Sequence, residues 1–177
     1  MGMPFPGFER RMLILGIDPG SSSTGFGLVR NDGRNLVHVH HAQVSLAAKK
    51  TTSQKLARLY AATMEILREF QPEQAAVEGI FYGHNVKSMI VLGQARGAAM
   101  VAVANYGLEI AEYPPSVVKQ AVVGYGKATK EQVQQMVAVV LNQRKIAGEH
   151  AADALAVAIC HHHHQQLRHW EAKVKPL

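Results

Sequence analysis

The chain is expected to be an α/β protein with a five-stranded mixed sheet flanked by helices. Three observations lead there. The first 45 residues hold three extended runs joined by short turns, which is an antiparallel meander. After residue 50 the apolar period becomes helical, and helices then alternate with short apolar runs, as crossover connections require. Two of the buried runs share an ending: an acid followed by glycine, at Asp18-Pro19-Gly20 and at Glu78-Gly79.

The elements follow in order. Residues 12–17 are an apolar run with β-branched members, stopped by Asp18 and the Pro-Gly turn. Residues 24–30 read as a second strand, and Asn31-Asp32-Gly33-Arg34 as the hairpin into a third, 35–45. Strict alternation puts Leu36, His38, His40 and Ala42 on one face of that strand, with Val37, Val39 and His41 on the other. Leu56, Leu59, Tyr60, Thr63, Ile66, Leu67 and Phe70 have helical spacing over 52–70, ended by Gln71-Pro72. Residues 75–77 form a short buried strand that finishes on Glu78, and 81–85 a loop. The helix at 87–105 is small and apolar on nearly all sides, which suits the centre of the monomer or a subunit interface. A last strand, 108–113, ends at Pro114-Pro115, and 116–123 form a short helix. Thr129 caps a helix to about residue 142, with Gln132 completing a capping box. The final helix starts near His150 and runs past Cys160, leaving His161 to His164 as a solvated helix end.

At 177 residues this is one domain. Residues 12–164 hold the pattern, 1–11 read as a disordered extension, and 165–177 as a C-terminal tail. Cys160 is the only cysteine, so no disulfide forms within the chain, and a reducing, cytoplasmic setting fits. Arg10 and Arg11 precede an apolar run, but Asp18 stops it too soon for a signal peptide. The longest apolar stretch, 88–106, carries Gln94 and Arg96, so no membrane is expected. Lys and Arg exceed Asp and Glu by six, which favours a polyanionic partner, nucleic acid first.

Chemistry gathers at four positions. Asp18 and Glu78 meet at one sheet edge if their strands are parallel neighbours. His150 and Asp153, three apart, share the first turn of the last helix. Singly, each has an ordinary reading, as a turn acid, a strand end or a helix-start residue. Together, three acids from distant segments repel one another unless a cation fills them. Oxygen ligands suit Mg²⁺ or Mn²⁺, and paired metals in such a cluster support in-line phosphoryl transfer.

The segments around these residues carry a resemblance. Asp18-Pro19-Gly20 with Thr24-Gly25, VEGIF at 77–81, LGQARG at 92–97, VKQAVVGYGKATKEQV at 118–133 and HAADALAVAICH at 150–161 resemble the RuvC family of bacterial Holliday-junction resolvases. The resemblance implies a ribonuclease-H-like fold and a homodimer that pairs through the 87–105 helix. It implies paired, symmetric nicks in four-way junction DNA during recombination and repair, leaving 5′-phosphate ends, with two Mg²⁺ or Mn²⁺ ions per site. The RuvA–RuvB branch-migration complex is the implied partner. Asp18, Glu78 and Asp153 match the family's carboxylates, and His150 falls where members carry a fourth carboxylate or a histidine. Phe81 matches an aromatic at the junction centre, with Tyr82 beside it. Lys119 and Lys130 match basic positions near the scissile phosphate, and Lys87 is a candidate phosphate contact. Three other readings remain: a nucleotide-binding protein of the actin and sugar-kinase type, a junction-binding module without catalysis, and a nuclease of RNA–DNA hybrids.

Overall fold

The computed structural model describes residues 11–33, 35–46, 50–79 and 85–174, with side chains to residue 172. The strands are β1 (Met12–Asp18), β2 (Ser23–Asn31), β3 (Leu36–Ser45), β4 (Gln74–Glu78) and β5 (Ile110–Tyr113). The helices are α1 (Thr52–Phe70), α2 (Val86–Tyr106), α3 (Pro115–Val123), α4 (Lys130–Val140) and α5 (Glu149–Val174). The sheet order is β3-β2-β1-β4-β5. The first three strands pair antiparallel, while β4 joins β1, and β5 joins β4, in parallel. The mixed sheet expected from the sequence is therefore present.

Local chemistry sets the helix ends. Thr51 and Gln54 form a capping box on α1, as Thr129 and Gln132 do on α4. Asn85 caps α2 by accepting from the Ser88 amide. Gly107 ends α2 with φ of 95°, where a side chain would be strained.

Two cores sandwich the sheet. Leu13, Leu15, Ile17, Phe26 and Leu28 face α1 and α2, and cluster with Leu59, Leu67, Ala99 and Val103. Ile14, Val29 and Ala76 face the other way, toward α3, α4 and α5. There α5 lies almost on the backbone of the sheet. A Cβ on Gly16 would sit 2.0 Å from the Ala154 carbonyl oxygen, and one on Gly25 would sit 1.9 Å from that of His150. Only glycine permits so close an approach.

Four sequence expectations change. A bulge opposite Leu28 and Val29 leaves Val39 as the extra residue of β3, because Leu28 pairs with His40 and Val29 with His38. Alternation breaks there, and His38 and His41 come to one face, their Nε2 and Nδ1 atoms 2.8 Å apart. His40 instead stacks on Phe70 of α1. Second, of the two places open to the apolar helix α2, the centre of the monomer is taken by α5, where Ala151 to Cys160 are all buried except Asp153. In α2 only Ala95, Ala99, Ala102 and Val103 are buried. Third, His161 and His162 are not a solvated helix end but are 3% and 7% exposed. The His161 ring bonds the Tyr113 hydroxyl at 2.9 Å and Gln74 Oε1 at 2.8 Å. Fourth, α5 runs unbroken to Val174, so most of the 165–177 tail is helix. The extension at 1–11 lies outside the described residues except for Arg11.

By length and composition α2 could cross a membrane. One side of it lies on α1 and the sheet, and Arg96 pairs with Glu112 of β5.

Candidate active site

The site is built where three chain segments end together. β1 delivers Asp18 at its last position, paired with Gly25 of β2. The parallel register of β1 and β4, with Ile17 opposite Val77, brings Glu78 next to Asp18 along the same sheet edge. The first turn of α5 is laid over Gly25 and supplies His150 and Asp153, one turn apart on one face. Gly20 keeps the near side open, since a Cβ there would meet the His150 ring at 2.9 Å.

Asp18 is buried, and its Oδ2 accepts from His150 Nδ1 at 2.6 Å. Ligand atoms of Asp18, His150 and Asp153 all lie within 4.8 Å of one another. Glu78 stands outside this trio and flanks it in a cleft of ≈ 210 Å³, lined also by Lys119, Lys130 and Asp153. Lys130 Nζ donates to Asp153 Oδ2 at 2.8 Å and also pairs with Glu149.

The electrostatics are those of crowded acids. Burial, and then the charges of Asp18 and Asp153, push the Glu78 carboxyl up to about 7. Burial also raises Asp153, against the pull of the Lys130 hydrogen bond. The hydrogen bond to Asp18 raises His150, against the cost of burial. Burial disfavours the Lys130 charge, but its bonds to Asp153 and Glu149 win and hold the ammonium well above the usual lysine range. Cations are thus already drawn to the cluster. Carboxylate oxygens with one imidazole are donors that fit a hard divalent ion, and Asp18, His150 and Asp153 are close enough together to hold one, with Glu78 flanking them.

The structure brings Asp18, Glu78, His150 and Asp153 to one sheet edge, with Lys119 and Lys130 on the cleft wall. Lys87 is exposed in the first turn of α2 and does not line that cleft. Phe81 and Tyr82 lie outside the described residues. Sequence reasoning missed Glu149. It is 19 positions from Lys130 on another helix, so no local pattern could couple the two.

Residues 14–161 match the family described as crossover junction endodeoxyribonuclease RuvC. The enzyme of that name from Geotalea uraniireducens is 51% identical over 150 residues, covering 85% of this chain and 88% of the relative. That of Zymomonas mobilis is 44% identical over 165 residues, covering 93% and 99%. Among solved structures, Thermus thermophilus RuvC in complex with Holliday junction substrate superposes with a TM-score of 0.83 at 34% identity, covering 88% of this chain and 96% of that one. The yeast mitochondrial Holliday junction resolvase, at 12% identity and a TM-score of 0.64, shares the fold. The fold is ribonuclease-H-like, and the acid cluster stands at the edge where β1 and β4 end. With the family matched over residues 14–161, the chain belongs to the RuvC family of crossover junction endodeoxyribonucleases.

Proposed function

We propose that a homodimer of this chain resolves four-way DNA junctions by paired hydrolytic nicks, with two Mg²⁺ or Mn²⁺ ions held by Asp18, Glu78, His150 and Asp153. The observation that carries the reading is the convergence of Asp18, His150 and Asp153 within 4.8 Å, next to Glu78. When bound, divalent metal supplies the Lewis acidity that makes water a nucleophile and steadies the leaving 3′ oxygen. The chain's own residues do the rest. Asp18 is gripped between β2 and α5 and keeps its carboxylate in place. His150 would serve as a ligand in its neutral form, its ring oriented by the hydrogen bond to Asp18. Lys119 and Lys130, on the cleft wall, hold the scissile phosphate and offset its growing charge.

DNA contacts extend from the site. Phe81 and Tyr82 stack on bases at the junction centre, and Lys87 meets backbone phosphate. The outer side of α2 leaves Val86, Ile90 and Val101 exposed, which supports pairing with a second copy. Two sites about a two-fold axis match the symmetry of a four-way junction. The RuvA–RuvB complex is the expected partner, in the cytoplasm.

The test is cleavage of a mobile four-way junction, labelled strand by strand, with Mg²⁺, Mn²⁺ or chelator. Paired symmetric nicks that require metal are expected. Tight binding without cleavage under either metal would overturn the catalytic reading in favour of a junction-binding module. Cleavage of RNA–DNA hybrids alone would move the substrate.

A further inference from the structure

Lys130 occupies a position that helix energetics disfavours. It is the first residue of α4, where the helix dipole repels a cation. The next residue, Glu131, has the sign expected there. A local conflict of this kind calls for a non-local gain. That gain is on α5: the Lys130 ammonium stands between the carboxylates of Asp153 and Glu149. The two acids differ. Asp153 belongs to the metal-fitting cluster and has a mostly covered side chain, 17% exposed. Glu149 belongs to no cluster and is open to water, 62% exposed.

We propose that Glu149 is a positioning residue that receives the Lys130 ammonium when a divalent cation takes Asp153. This rests on the metal reading given above. A cation binding at Asp153 must compete with the lysine already there. Shared between two acids, the ammonium needs only to shift its weight to Glu149, one helical turn away, and it stays at the cleft wall. Without Glu149 the same step would release it into water, and it would hold Asp153 harder. Glu149 therefore eases metal entry and keeps Lys130 beside the site after metal has bound.

The experiment is Mn²⁺ titration by calorimetry on the full chain without DNA, for the wild type, Glu149→Gln, Lys130→Met and the double variant. Melting curves in chelator establish that each is folded. Exposed charge pairs have small effects, so Glu149→Gln should weaken Mn²⁺ binding about threefold, and Lys130→Met should tighten it by a similar factor. The deciding comparison is the double variant, which should bind as Lys130→Met does, because Glu149 acts only through the lysine. Glu149→Asp should restore most of the wild-type affinity. A loss of equal size in both backgrounds would reduce Glu149 to a distant negative charge and overturn the proposal. Unchanged affinity in Glu149→Gln would overturn it too. Absence of saturable Mn²⁺ binding in the wild type would instead remove the metal site itself, and this role with it.

Discussion

On the face that receives α1 and α2, the sheet offers Leu13, Leu15, Ile17, Phe26 and Leu28; on the face that receives α5, it offers Gly16, Gly25 and Gly27. The first face is held by side-chain volume. Each buried leucine or phenylalanine there stabilises by about 1.5–3 kcal/mol, and neighbours can adjust around a small change. The second face is held by approach: backbone of the helix rests on backbone of the strands. It has little slack, and it is the face that carries the chemistry. Asp18, His150 and Asp153 come within 4.8 Å because the first turn of α5 cannot ride higher or lower on Gly25. Both faces bury an apolar core, but only the α5 face adds the backbone contact that fixes the site.

The contrast breaks most visibly at Asp18. Asp18→Asn keeps the shape and removes the charge, and should lower junction cleavage by at least about 10³-fold. Junction binding in chelator should be kept or tightened, since a repulsive carboxylate is gone. A gel-shift titration showing loss of both would make Asp18 a structural residue. Gly25→Ala is the next strongest. Its methyl would sit 1.9 Å from the His150 carbonyl oxygen, so α5 must lift. The overpacking should destabilise by about 3 kcal/mol. Cleavage should fall about 100-fold, because the carboxylates separate. Full activity would show slack on this face that the geometry denies.

Leu59→Ala probes the other face. Leu59 is fully buried in α1 and far in kind from the chemistry. Urea unfolding should show a loss of about 3 kcal/mol. Cleavage per folded molecule should stay within twofold at low temperature, and a tenfold drop would mean that the two faces are coupled.

The effect furthest from cleavage is a pH response of stability from the far half of α5. Burial, and then the charge of Arg168, holds the His161 ring down to about 4; burial, and then His163, does the same for His162. Both are neutral in the fold, so between pH 6.5 and 4 the unfolded chain binds more protons. Their contribution is complete above about pH 6.5 and falls as pH drops toward 4, by roughly 3 kcal/mol for the pair after allowing for partial solvent screening. The urea midpoint should fall across that window, and fall less in a His161→Gln, His162→Gln variant. Equal slopes for the two proteins would show that these rings do not titrate with folding.

Much of the site could be read from the sequence because its signals are local. Asp18 and Glu78 each follow a short apolar run and precede a turn, and His150 and Asp153 sit at helical spacing ahead of an apolar stripe. What escaped depends on partners far along the chain. The bulge at Val39 has no signature within β3, so the expected faces of His38 and His41 were wrong. The histidine run looks polar, and its burial is decided by Tyr113 of β5, Gln74 of β4 and a carbonyl of α3, at Ala121. Gly16, Gly25 and Gly27 read as turn or strand glycines until α5 is seen resting on them. Phe81 and Tyr82 lie outside the described residues, and the junction contacts proposed for them come from the sequence motif.

The glycine face also has a consequence for how this protein can change over generations. A side chain pressed against a side chain can be relieved by a second substitution in its neighbour, so Leu15 and Phe26 can trade volume with other members of their cluster in successive steps. The nearest atoms to Gly16 and Gly25 are backbone carbonyls and amides of Ala154, Ala158, His150 and Ala151, whereas Gly27 meets the Leu155 amide together with that residue's Cα and side-chain Cγ. Backbone atoms are the same in all residues but proline, whose nitrogen is bulkier still. At Gly16 and Gly25 no substitution in the helix can make room for a side chain on the strand. At these two positions a mutation has no suppressor next door, and reversion is the short path back.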